Sequence, residues 1–434
     1  MNDKTKTQKN AHSFGFDTKA LHSGYQPEAT TGARAVPIYQ TTSFVFENSD
    51  HAANLFALQE FGNIYTRINN PTNAVLEERM AALENASAAV ATASGMAAQF
   101  LTFFTLCKPG DEVVSSGRLY GGTYTQFDVS FKKLGIKVHF VDPDDPQNFE
   151  KAINANTKAL YTETIGNPLG NVVDLEALSK IANKHHIPLI VDNTFGTPYL
   201  CRPIEWGAHI VLHSATKFLG GHGNSLCGVI VDGGNFDWGQ GNFSTLSDPS
   251  PAYHGLRFWE NFREVAFAMK VRAESLRDLG ACLSPMNAFL ILQGIETLSL
   301  RMERHCENAL AVAEFLKKQP QVEWVNYPAF KDSKYFPLCQ KYMKGKGGAV
   351  FTFGVKGGRE AGKKMIEAME LFSHLANVGD ARSLIIHPAS TTHQQLSDQD
   401  LKTAGVRPEM IRLSIGLENI EDLLWDLENG LKAL

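Results

Sequence analysis

Several things are missing from this sequence, and each absence removes a class of protein. No apolar run approaches the roughly 18 residues needed to cross a bilayer. No block of like charge stands out, and a net charge of −5 spread over 434 residues gives no electrostatic footprint for nucleic acid or an anionic membrane. The six cysteines, at 107, 201, 227, 282, 306 and 339, are scattered without a CxxC pair. That pattern predicts reduced core residues, not a disulfide framework or a zinc site. There is no GxxxxGK[ST], HExxH or GxSxG motif. His213 and His222 lack acidic or thiol partners at metal-site spacing, so no metal is expected. The opening "MNDKTKTQKNAHS" is polar and lacks an apolar signal core, which predicts the tail of a cytoplasmic protein.

What is present is an alternation of two periodicities. "PTNAVLEERMAALEN" and "DLEALSKIANKHH" carry apolar residues at helical spacing. "DEVVSSG", "KVHFVDP", "KALYTET", "PLIVDNTF", "HIVLHSATK" and "CGVIVDGG" are short β-rich runs ended by turn residues. Strands separated by helices predict an α/β fold with a mainly parallel sheet covered on both faces. One α/β domain is expected over 71–280. "SPMNAFLILQGIETLSLRMERHCENALAVAEFLKKQ" predicts one or two long helices leading into a smaller α+β unit, 281–434. That unit has strands near "GAVFTFGV" and "IRLSIGL" and a closing amphipathic helix. Residues 1–70 show little periodicity and read as an extended arm held by the body or by a neighbouring subunit.

Ligands of open α/β sheets bind beyond the carboxyl ends of the strands. Three runs end in polar groups there: Glu163 and Asn167 in "ALYTETIGNP", Asp192 and Asn193 in "VDNTF", and Lys217 in "HSATKFLGGHG". Ser214 and Thr216 flank that lysine with hydroxyls, and Gly220, Gly221 and Gly223 would let the backbone approach a bulky group. A partly desolvated lysine loses its charge more easily and becomes a nucleophile able to form a Schiff base. Pyridoxal phosphate needs such a lysine and an acid for its ring nitrogen, and Asp192 is the candidate.

"VDNTF", "HSATKFLGGH" and "IIHPASTTH" together resemble the trans-sulfuration, or Cys/Met-metabolism, family of fold-type-I pyridoxal phosphate enzymes. The resemblance runs from "FDTKALHSGYQPEATTGARAVPIYQTTSFVF" to the last helix. It implies a large domain with a seven-stranded sheet, and a homotetramer built from dimers that share active sites. By the same resemblance, Lys217 would bind the cofactor aldehyde and shuttle protons, Asp192 would keep the ring nitrogen protonated, and Tyr120 would stack on the ring. Ser94, Gly95 and Met96, at a helix start, would take the phosphate with Ser214 and Thr216; a simple serine N-cap fits that segment alone equally well. Tyr65 and Arg67 would reach the phosphate across a subunit boundary. Arg412 would grip the α-carboxylate of the substrate as a bidentate fork. Asn167 would stand between it and the cofactor, and Asn377 would line the substrate pocket. Ile165 replaces a proline common in the family. Arg382, His387 and His393 read as structural.

Within the family, the resemblance is to the sulfhydrylases acting on O-acetylhomoserine. The segment 233–262 and "HLANVGDARSLIIHPASTTHQQL" look like theirs, and Gly122 stands where methionine γ-lyases resemble one another in having cysteine. The implied reaction is a γ-replacement giving homocysteine or an analogue plus acetate, assisted by Tyr65 or Tyr120. Cystathionine γ-synthase and methionine or cystathionine γ-lyase are the alternatives. A cofactor-bound scaffold without turnover, or a binding protein without cofactor, are readings from other classes.

Overall fold

The structure, a computed structural model, describes residues 13–240, 242–391 and 405–434. His393 and most of the polar tail lie outside the described residues. Seven strands form the larger sheet: β1 (Ala88–Thr92), β2 (Glu112–Ser116), β3 (Lys137–Val141), β4 (Thr157–Glu163), β5 (Leu189–Asp192), β6 (Ile210–Ser214) and β7 (Gly228–Asp232). Their spatial order is β1-β7-β6-β5-β4-β2-β3. β3, β2, β4, β5 and β6 run parallel, while β7 is antiparallel to both its neighbours. Parallel strands need crossovers, and the crossovers cover both faces. All seven residues of β4 are accordingly buried. Side-chain alternation divides the core: Val191 and Val211 pack into one cluster, Ile190 and Ile210 into another on the opposite face.

The helix Pro71–Glu84 starts as its sequence predicts, with Pro71 at its first turn and the Asn70 side chain accepting the Thr72 N–H. The stretch 284–319 is two helices, Pro285–Glu296 and Leu298–Lys317. Beyond them lies a second sheet of β8 (Val322–Asn326), β9 (Val350–Val355), β10 (Ser373–His374), β11 (Leu384–Ile386) and β12 (Met410–Ser414), in the order β10-β11-β12-β9-β8. Among the described residues no helix is long and apolar enough to cross a membrane.

The arm is more structured than its weak periodicity predicts. Phe16–His22 and Ser49–Phe56 are helices, and the first packs on Pro71–Glu84 of its own chain. Ala20 is buried there and Phe16 meets the edge of Tyr199 at 5.3 Å between ring centres. A seven-residue helix has too few turns for its period to show, and tertiary packing supplies its stability.

Candidate active site

The carboxyl ends of β4, β5 and β6 deliver Glu163, Asp192 and Ser214 to one mouth, with Glu163 and Asp192 opposite one another in register. Lys217 follows three residues past β6. Its Nζ donates to Asn377 Oδ1. Arg412, on β12 of the other sheet, donates through Nη1 to Asn167 Oδ1 at 3.1 Å and through Nη2 to the Asn377 carbonyl at 3.2 Å. Two sheets thus place Lys217, Asn377, Arg412 and Asn167 in one hydrogen-bonded chain.

The electrostatics of this chain are those of a site waiting for an anion. Burial, and then the charge of Arg412, pull the Lys217 amine down from 10.5 to about 8. Burial lowers Arg412 to about 10, and no carboxylate among the described residues pairs with it. On the other side of the mouth, burial pushes Asp192 up, opposed by the hydrogen bonds of Thr194 and the charge of His213. Glu163 is held well above the carboxylate range by burial and then by Asp192. Its two oxygens accept the Tyr120 N–H at 2.7 Å and the Asn167 N–H at 3.0 Å. The Tyr120 ring is half exposed beside this carboxylate.

Facing them is the start of the helix Gly95–Leu106. The Ser94 side chain accepts the Ala97 N–H at 3.1 Å, so the N-cap reading holds. The cap still leaves the first N–H groups of the helix, those of Gly95 and Met96, directed outward. A Cβ on Gly95 would lie 2.7 Å from Ser214 Cβ, so helix start and strand end touch only because that side chain is absent. The Thr216 hydroxyl accepts the Cys227 N–H at 3.0 Å and ties the lysine loop to β7.

One expectation needs correction. Gly220, Gly221 and Gly223 do not open space for a ligand. Their missing Cβ atoms would meet Ile291, the Arg301 guanidinium and Asp380 at 2.7, 2.2 and 2.3 Å. Gly221 and Gly223 have φ of +73° and +63°, and Arg301 holds the Phe218 carbonyl at 2.7 Å. Those glycines seat the loop against the protein, and Gly95, Gly228 and Gly379 are among those that let elements approach at the mouth. The segment after β7 leaves the sheet at the end remote from Lys217. Lys158 Nζ, at the start of β4, donates to the Asn242 carbonyl at 2.6 Å. Glu163 is five residues, or about 16 Å, further along that strand. Within this chain no described hydrogen bond or ion pair joins the side chains of Tyr65 and Arg67 to Lys217, Asn377, Arg412 or Asn167. Arg67 stacks over the Tyr65 ring at 5.5 Å and lies against Gly280.

His387 is structural as expected, its ring nitrogens meeting the Pro408 carbonyl at 2.7 Å and Ser390 Oγ at 2.9 Å. His213 is buried on Glu84 at 2.7 Å, and His222 meets the Gly220 carbonyl at 2.6 Å. Arg382 is exposed. Among the described residues no cluster of histidine, cysteine or acid could hold a metal ion. A surface groove of about 440 Å³ runs along β8 and includes none of the residues of the mouth. Sequence reasoning missed the double grip of Glu163, because its partners are backbone groups of other segments and leave no side-chain signal.

Pyridoxal phosphate fits this donor set. A lysine with a lowered pKa, a buried carboxyl, an aromatic face and a helix start with free N–H groups match its aldehyde, ring nitrogen, ring and phosphate. The whole-chain comparison agrees: residues 17–432 match the family described as Cys/Met metabolism PLP-dependent enzyme. The chain belongs to that family. It is 56% identical over 430 residues to an O-acetyl-L-homoserine sulfhydrylase of Leptospira meyeri, covering 97% of each chain. It is 50% identical to a homocysteine synthase of Schizosaccharomyces pombe, covering 96% of this chain and 98% of that one. A Campylobacter jejuni crystal structure described as an O-acetylhomoserine (thiol)-lyase, carrying a pyridoxyl-lysine phosphate, superposes with a TM-score of 0.93. That structure is 41% identical and covers 96% of this chain and all of its own.

Proposed function

We propose that this protein joins O-acetyl-L-homoserine to sulfide, or to a thiol, giving L-homocysteine or its analogue and acetate, in methionine biosynthesis. The observation that carries the reading is the chain Lys217–Asn377–Arg412–Asn167, a desolvated amine linked to an unpaired cationic fork. An α-amino acid offers the two groups such a pair would hold, a carboxylate for the fork and an α-proton for the amine.

Bound pyridoxal phosphate supplies a conjugated ring that accepts the electron pair left when the α-proton departs. Lys217 would hold its aldehyde, Asp192 its ring nitrogen and Tyr120 its face. Gly95, Met96, Ser94, Ser214 and Thr216 would take its phosphate. Arg412 and Asn167 fix the substrate by its carboxylate, with Asn377 between them and the lysine. As a free amine, Lys217 Nζ would take the α-proton and then one from the β-carbon, and would return both once the new bond has formed. Acetate leaves with its bonding pair, and sulfide brings the pair that forms the new C–S bond.

Tyr65 and Arg67 complete a neighbouring protomer's phosphate site in this reading, within a homotetramer of site-sharing dimers. The exposure of Tyr65, Val45 and Phe61 supports it. Six free cysteines suit the reducing cytoplasm.

The test is a visible spectrum of the holoprotein, a band near roughly 420 nm, followed by O-acetylhomoserine with and without sulfide. Homocysteine formed only with sulfide supports the reading; 2-oxobutanoate without a thiol product makes the protein a lyase. Site sharing is read by mixing inactive Lys217→Ala and Arg67→Ala chains. Random reassociation of dimers should restore about a quarter of the wild-type activity, and no recovery confines each site to one chain.

A further inference from the structure

We infer that Glu163 is a positioning residue of this site, one carboxylate that sets the Tyr120 ring and the Asn167 amide in a fixed relation. The inference rests on the roles proposed above for those two residues. Glu163 ends β4 and is 6% exposed. Its Oε1 accepts the Tyr120 N–H at 2.7 Å and its Oε2 the Asn167 N–H at 3.0 Å. The two donors lie on separate segments, Tyr120 after β2 and Asn167 after β4. Only a carboxylate offers two equivalent acceptors at this length; an amide would turn its NH₂ group against one of the two N–H donors.

The choice of an ionisable group needs a reason. No lysine, arginine or histidine among the described residues pairs with Glu163, and Asp192 stands opposite it on the next strand. Burial and that neighbour oppose its ionisation, and the two N–H donors are what favour it. A lone buried carboxylate is an expensive brace where neutral side chains could cap each N–H separately. What neutral caps would not give is linkage between the two segments. Through Asn167 Oδ1, which accepts from Arg412 Nη1 at 3.1 Å, the grip extends to the carboxylate fork. The residue that faces the ring and those that hold the substrate are therefore registered by one side chain.

The experiment compares wild-type holoenzyme with Glu163→Gln and Glu163→Asp. Four properties are read: the cofactor absorbance, its induced circular dichroism, KM and kcat for O-acetylhomoserine, and the thermal midpoint. Glu163→Gln should keep the absorbance band, since Lys217 and Asp192 remain, but alter the dichroism and raise KM about tenfold. Glu163→Asp, with two oxygens but shorter reach, should fall between it and wild type, and it carries the test if the glutamine variant does not fold. In a Tyr120→Ala background, Glu163→Gln should raise KM less than about threefold, because one gripped group has already lost its ring. Wild-type dichroism and a KM within about twofold in Glu163→Gln, or a change confined to the thermal midpoint, would overturn the inference. A wild-type protein without a cofactor band sinks the proposed function and this inference together. A wild-type band and turnover with an indifferent Glu163→Gln sinks this inference alone.

Discussion

Gly95→Ala sets two effects of opposite sign against each other at the cradle. Gly95 opens the helix Gly95–Leu106 with a φ outside the left-handed region, so its backbone accepts alanine without strain. Helix propensity alone favours alanine by at most about 1 kcal/mol, less at a first position. Against this, the new Cβ would lie 2.7 Å from Ser214 Cβ and 2.9 Å from Ser214 Cα. Carbon atoms rest at about 3.5–4.0 Å, so one element must retreat by about 1 Å. Ser214 cannot easily give: its N–H donates to Thr194 Oγ1 at 2.8 Å and β6 pairs with β7 through Gly228. Gly228 in turn has no room, since its own Cβ would lie 2.0 Å from the Ser94 carbonyl oxygen. Overpacking of this kind costs about 1–3 kcal/mol and outweighs the propensity gain. The helix start moves instead, carrying the N–H groups of Gly95 and Met96 away from the phosphate they are proposed to hold. Titrating apoprotein with pyridoxal phosphate should show affinity weakened about 10- to 100-fold. Gly15→Ala, where a Cβ meets nothing within 4 Å, is the control. Unchanged or tighter cofactor binding in Gly95→Ala refutes the cradle.

The lowered pKa of Lys217 makes cofactor capture pH-dependent. The free amine fraction rises from about a tenth at pH 7 to about nine-tenths at pH 9, so the reconstitution rate should reach half its maximum near pH 8, and a midpoint near 10 contradicts the site's electrostatics. Arg412→Met should move that midpoint upward, since the Arg412 charge helps to lower it. For the apoprotein, the unfolded chain binds the proton that folded Lys217 releases, so this group adds stability as pH rises from about 8 towards 10.5, readable as a rising thermal midpoint. Arg412→Lys keeps the charge but loses the fork. KM for O-acetylhomoserine should rise about 10- to 100-fold with a smaller change in kcat, and an unchanged KM would remove Arg412 from the carboxylate.

The strands β2 to β7 were legible because each is a short apolar run ended by a turn residue. β1 was not: "AAVAT" holds three alanines with two β-branched residues, Val90 and Thr92, and its place comes from antiparallel pairing with β7, 136 to 144 residues away in register. The site divides in the same way. Lys217, Asp192 and Ser214 stand at strand ends, so local pattern finds them. Asn377 lies 160 residues from the lysine it meets, and Arg412 lies 245 from Asn167. No periodicity reports such pairs, and only the family resemblance placed them.

The glycines after Lys217 show where local reasoning stops. A glycine run does signal backbone that no side chain would tolerate, and positive φ at Gly221 and Gly223 bears that out. The sequence does not say which atoms fill the vacated space. They are those of Ile291, Arg301 and Asp380, from helices and loops that follow the large sheet in the chain. Arg301, lowered to about 10 by burial, donates to the Phe218, Leu219 and Gly294 carbonyls. The loop that begins with Lys217 is thus gripped by the helix Leu298–Lys317, while the lysine's own amine is met by Asn377 from beyond β10. Both ends of Lys217, backbone and Nζ, are positioned by the C-terminal part of the chain. Presenting this lysine therefore depends on the junction with the second sheet as much as on the strand that delivers it.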